Sequence, residues 1–175
     1  MPEKLKYPIG RVDVPVEITE HKRNMFIKEI AELPALLRDA VKGLSEEQLD
    51  TPYRPDGWTI RQVVHHLADS HLNSYIRFKM ALTEEEPTIK TYHEDRWADL
   101  ADSHTSIEVS LNLLEALHAK WVVLMQSLSD KEFERAFRHP DLGLVTLNKG
   151  LGIYAWHGKH HVAHITCLRD SRGWN

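Results

Sequence analysis

Apolar residues recur in this chain at spacings of mostly four and three over three separate stretches, a pattern that fits amphipathic α-helices and little else. The first stripe, Phe26, Ile30, Leu33, Leu37, Ala40 and Leu44, predicts a helix over about residues 17 to 43. Pro34 lies inside it and removes one backbone donor, which favours a kink near residues 30 to 34. Ser45 and Gln48 have the form of a capping box, and the loop from Thr51 to Gly57 turns the chain. Thr59 and Gln62 form a second box, from which Ile60, Val63, Leu67, Ser74, Phe78 and Leu82 carry a second helix to about residue 82. Residues 83 to 103 hold no sustained period and read as a long crossover, with Trp97 and Leu100 packing as a short turn. Thr105 with Glu108 is expected to cap the third helix, whose stripe is Ile107, Leu111, Leu114, Leu117, Trp121, Leu124 and Leu128. A hairpin at Asp141 to Val145 precedes a fourth helix over about residues 147 to 169.

A chain of 175 residues fits one domain, here taken as 1–175, and can bury a sizeable core. Twenty-two Lys and Arg against 26 Asp and Glu leave no basic surplus to attract nucleic acid or an anionic membrane. No apolar run approaches the ~18 residues that span a bilayer, and the polar start MPEKLKYPIG has no signal-peptide core, so a cytoplasmic location is expected. The single cysteine, Cys167, cannot form an internal disulfide.

The two connectors echo each other. Leu44-Ser45, Leu49, Tyr53-Arg54 and Pro55 reappear as Leu128-Ser129, Phe133, Phe137-Arg138 and, one place late, Pro140. His65-His66-Leu67-Ala68 of the second helix likewise matches His160-His161-Val162-Ala163 of the fourth. A duplicated helical hairpin would place His66 opposite His161 through a pseudo-twofold axis; the alternative is a chance recurrence of capping patterns.

Histidine is the compositional anomaly, at 12 of 175 residues. On the fourth helix His157 and His161 stand four apart on one face, next to the core stripe, whereas the pair His160 and His164 straddles it. His157 and His161 are therefore the preferred pair for one metal ion. A third ligand from another helix leaves a position open, as catalytic zinc sites do. His66, flanking the second stripe beside Ser70 and Asn73, is that candidate. A zinc-protease motif would need Glu directly after the first histidine, where this chain has Gly158. Asp69, three residues past His66, either orients an imidazole or a water as a catalytic group or is a solvent-facing acid. Cys167 is either a thiolate ligand or a small core residue. His21, His93, His104, His118 and His139 are scattered and read mostly as surface residues.

The segment from Gly57-Trp58-Thr59 through His65-His66-Leu67-Ala68-Asp69-Ser70-His71, continued by Asn73 to Lys79, resembles the DinB-like superfamily. It is especially similar to the YfiT-type branch of assigned metal-dependent hydrolases. The likeness extends to Tyr7-Pro8-Ile9-Gly10, Leu49 to Arg54, His139-Pro140-Asp141 and Trp156-His157 through Ile165-Thr166, nearly the whole chain. The resemblance implies an all-α four-helix bundle in up-down-down-up order, with the long crossover between helices two and three. It also implies one divalent ion per chain held by His66, His157 and His161, zinc by expectation and nickel as the alternative. Three functions stay open. They are a hydrolase activating water, an S-transferase using a low-molecular-weight thiol of the bacillithiol type, and a metal-binding module without turnover. The expected partner is a small-molecule substrate, with a homodimer as the assembly.

Overall fold

The computed structural model describes residues 2–174. In chain order the elements are α1 (Pro2–Lys6), α2 (Glu20–Val41), α3 (Glu46–Leu49), α4 (Ile60–Thr83), α5 (Glu94–Ala98), a 3-10 turn (Ala101–His104), α6 (Ile107–Gln126), α7 (Asp130–Phe133), β1 (Ala136–His139), β2 (Gly143–Thr146) and α8 (Leu147–Arg172). The four long helices α2, α4, α6 and α8 are the bundle, and the only strands among the described residues form one small antiparallel hairpin.

Side-chain contacts give the helix directions. Phe26 lies against Gly152, Leu33 against Gly158, and the Ala40 carbonyl accepts from Arg169, so α2 and α8 run parallel. His65 meets Ser110, His71 meets His118 and Phe78 meets Trp121, so α4 and α6 are also parallel. Arg38 reaches Glu108 while Ile30 reaches His118, which sets α2 antiparallel to α6. The order is therefore up-down-down-up, and two parallel neighbours require the long crossover, which contains α5 and the 3-10 turn.

Both expected capping boxes form, at Ser45 with Gln48 and at Thr59 with Gln62, and a third forms at Ser129 with Glu132. The cap of α6 differs from expectation. Ser106 accepts from the Glu108 amide, and the Thr105 hydroxyl is turned back to donate to the Asp102 carbonyl. The buried face of α6 is also rotated slightly from the expected stripe. Met125 is buried where Leu124 and Leu128 are only partly covered, and Ser110 and His118 share that face.

The connector echo is half structural. Each connector is a capped turn of helix followed by antiparallel backbone pairing, Pro52 with Thr59 and Ala136 with Thr146, which delivers the chain to an N-cap threonine. The histidines do not share that register. His66 lies seven residues past Thr59, and His161 lies fifteen past Thr146. They meet because α4 and α8 are antiparallel, as the pairs Trp58 with His161 and Ser70 with Tyr154 show.

The apolar core falls into two bodies. Phe26, Ile30, Phe78, Trp121, Phe133 and Leu151 belong to one, and Leu37, Ile60, Leu67, Leu111, Leu114 and Ile165 to the other. On α4, α6 and α8 the stretches between the two bodies hold the buried histidines His71, His118, His160, His161 and His164. Gly158 lets α8 approach α2 at that level, since a Cβ there would sit 2.5 Å from Leu33 Cδ2. A buried polar layer costs stability unless its members are bonded to one another, and those partners define the site.

Candidate metal centre

Helix α8 carries His157 and His161 on one face, and α4 brings His66 across to them. One ring nitrogen from each lies within 4.8 Å of the other two, and among the described residues this is the only group of three or more His, Cys, Asp or Glu side chains that could hold an ion. His66 Nε2 and His157 Nε2 are 3.3 Å apart. Two nitrogens bound at 2.0–2.1 Å to a tetrahedral ion stand about 3.3 Å apart, so that separation suits a shared cation.

The tautomers decide whether lone pairs or protons face that point. Pro34 has no amide proton, so the Ile30 carbonyl has no helical donor four residues on. His118 Nδ1 donates to it instead, at 2.6 Å. A carbonyl only accepts, so the proton of neutral His118 is on Nδ1 and its Nε2 is a lone pair. That lone pair accepts from His71 Nδ1 at 2.9 Å, which leaves His71 Nε2 to accept from His157 Nδ1 at 3.2 Å. His157 Nε2 is then a bare lone pair aimed at His66 and His161. The chain of imidazoles thus has one polarity, set by a proline.

Burial keeps these rings neutral. Desolvation first, and His160 second, bring His66 to about 4. His157 is held well below the ordinary imidazole range by desolvation and then by His66, His161 by desolvation and then by His157, and His71 by desolvation and then by His118. Neutral donors with directed lone pairs fit a divalent cation.

The neighbours of the trio have other duties. His164 Nε2 donates to the Lys6 carbonyl and its ring stacks on Tyr53 at 4.0 Å. His160 stacks on Trp156 at 4.3 Å, and His65 bonds Ser110 and the Thr105 carbonyl. Cys167 is exposed. Asp69 makes no hydrogen bond to a histidine among the described residues, and burial followed by the charge of Asp102 raises its pKa to about 6. Trp58 lies 4.6 Å from the His66 ring, as a wall of a cavity of about 420 Å³ that also includes Lys6, Tyr7, Arg54 and Glu94.

Two residues escape the sequence reading. His118 is 1% exposed, not a surface residue, and His71 is fully buried. A signal for His118 was available, because Leu114, His118, Trp121 and Met125 follow the four-three-four spacing of a buried stripe. Of the other scattered histidines, His21, His93 and His104 are exposed and His139 is partly buried.

A bundle of this order with three converging imidazoles in its middle defines a metal-binding four-helix protein. The chain belongs to the DinB superfamily, whose model matches residues 29–165, and it is of the YfiT type. It is 54% identical over 169 residues to an Oceanobacillus iheyensis protein named "putative metal-dependent hydrolase", covering 97% of this chain and 98% of that one. A Bacillus cereus protein of the same name is 54% identical over 170 residues, covering 97% and 98%. Among solved structures, YfiT from Bacillus subtilis, described as "a probable metal-dependent hydrolase with an unusual four-helix bundle topology", superposes with a TM-score of 0.96 at 49% identity, over 98% of this chain and 99% of that one. TT2238, a four-helix bundle protein, shares the fold alone, with a TM-score of 0.56 at 18% identity over 80% and 94%.

If His71 holds the His157 tautomer, replacing it by phenylalanine keeps the ring volume and removes the acceptor. Metal affinity should then fall about 10- to 100-fold, as for other residues that orient a ligand. A chelator-competition titration reads this directly, and unchanged affinity in the folded H71F protein would separate His71 from the site.

Proposed function

We propose that this protein is a metal-dependent hydrolase of a small-molecule substrate, with zinc, or alternatively nickel, held by His66, His157 and His161. The observation that carries the reading is the fixed polarity of the imidazole chain, which presents the His157 lone pair to the shared point from a buried, neutral set. The bound ion would supply Lewis acidity and lower the pKa of a coordinated water toward neutrality. His66, His157 and His161 would hold it from one side of the bundle, which leaves a coordination position toward the cavity. Trp58 and the stacked Trp156 and His160 would keep bulk water from that position. Glu94 borders both this cavity and a second one reached past His157, and desolvation followed by Asp95 raises its pKa. It is the group we assign to take the proton of the attacking water on its carboxylate.

Zinc-loaded protein assayed on a panel of esters and amides, with and without an added low-molecular-weight thiol, tests this reading. Hydrolysis without thiol is expected, with E94Q lowering kcat about 10²-fold or more while retaining the metal. Turnover that requires thiol would instead favour the S-transferase, and neither activity on the panel would favour a metal-binding module without turnover.

A further inference from the structure

Beyond the histidine cluster, past Ser70, Tyr154 and His157, lies a second cavity of about 300 Å³ whose wall includes Arg77, Tyr92 and His139. Arg77 is the anomaly. It is 9% exposed, and among the described residues its only hydrogen bond is a long one, 3.5 Å from Nη2 to the Lys90 carbonyl, with no ion pair. The other two buried arginines are paired: Arg61 with Asp50 and Glu46, Arg23 with Asp130. A buried guanidinium without a carboxylate is costly, and a carboxylate brought by a ligand would offset that cost. His139 adds a neutral donor beside it. Its Nδ1 accepts from the backbone amides of Asp141 and Leu142, at 3.1 and 3.3 Å, which leaves the proton on Nε2. Burial, and then the charge of Arg77, lower the His139 pKa and keep that ring neutral.

We propose that this cavity is a carboxylate-binding subsite, in which Arg77 and His139 hold the anionic end of a substrate whose reactive bond lies at the histidine cluster. This assignment rests on the hydrolase reading and narrows its substrate class. One guanidinium can neutralise one negative charge, and Glu94 with the solvent-exposed Asp141 on the same wall would repel the second charge of a phosphate dianion. Arg77 lies eleven residues beyond His66 on α4, roughly 16 Å along the axis. Long helical side chains lean back toward the helix N-terminus, which would leave about 10 Å between guanidinium and cluster, a linker of about four to six atoms.

Hydroxamates, which bind metals directly, carry the test. Acetohydroxamate and hydroxamates with a five-atom tail ending in carboxylate, carboxamide or phosphonate are titrated calorimetrically into zinc-loaded wild-type, R77Q and R77K protein. The carboxylate tail should bind at least tenfold tighter than the carboxamide in wild type, with the advantage lost in R77Q and partly kept in R77K. Acetohydroxamate should bind all three alike. Equal binding of the carboxylate and carboxamide tails, an advantage that survives in R77Q, or a tenfold preference for phosphonate would overturn the subsite; the wild-type comparison needs no variant to fold. If acetohydroxamate itself fails to bind, the open metal position fails, and glutarate alone decides the subsite: equal binding by wild type and R77Q would overturn it.

Discussion

Metal-free protein will lose its fold on mild acidification, between about pH 6 and 5. In the unfolded chain an imidazole takes up a proton near pH 6.5. In the folded chain burial holds His66 and His118 at about 4, and His71, His157 and His161 well below the ordinary value. Between these limits the unfolded state binds more protons, so stability is complete above pH 6.5 and is lost as pH falls. One unit below 6.5, each imidazole kept neutral forfeits on the order of 1 kcal/mol, and the group together several. That is comparable with the whole net stability of a domain, about 5 to 15 kcal/mol. A bound ion occupies the lone pairs that protons would take, so zinc should shift the transition to lower pH. Far-ultraviolet circular dichroism against pH, with chelator and with zinc, checks both statements. Chelated protein that stays folded at pH 4 would show that these histidines are not the neutral, buried set described.

Replacing His157 or His161 with alanine will remove the ion from the protein as purified. Each contributes one of three nitrogens, and no other His, Cys, Asp or Glu of the described residues joins the group to replace it. Residues that merely orient a ligand are worth about 10- to 100-fold in affinity, so a ligand itself should be worth at least 100-fold. H66A should behave alike, although it leaves the α8 pair intact. H93A, at an exposed residue, should bind as wild type. Competition against a chromophoric chelator measures all four, and full affinity in H157A or H161A would relocate the site.

The bundle was legible in the sequence because its signals are local. Each stripe needs only its own helix, and the boxes at Ser45 and Thr59 need only four residues. The family resemblance supplied the helix order. What remained hidden depends on partners distant in sequence. Thr105 and Ser106 both offer hydroxyls, and only the path of the backbone after Asp102 decides which one faces the Glu108 amide. His71 and His118 take their role from each other and from the carbonyl freed by Pro34, on three different helices. Pro34 was legible as a missing donor, but not as the anchor of a histidine chain. Arg77 stands out only once the surroundings of Arg23 and Arg61 can be compared with its own. The N-terminal turn α1, whose Lys6 carbonyl engages His164, carries no apolar period from which to predict it.

X-ray absorption at the zinc edge of the loaded protein counts and identifies the donors. The expected shell is one zinc per chain bound by three imidazole nitrogens at about 2.0 Å and one exchangeable oxygen that added azide or thiol replaces. A sulfur donor before any thiol is added, a fourth imidazole, or a shell that azide and thiol leave unchanged would contradict it.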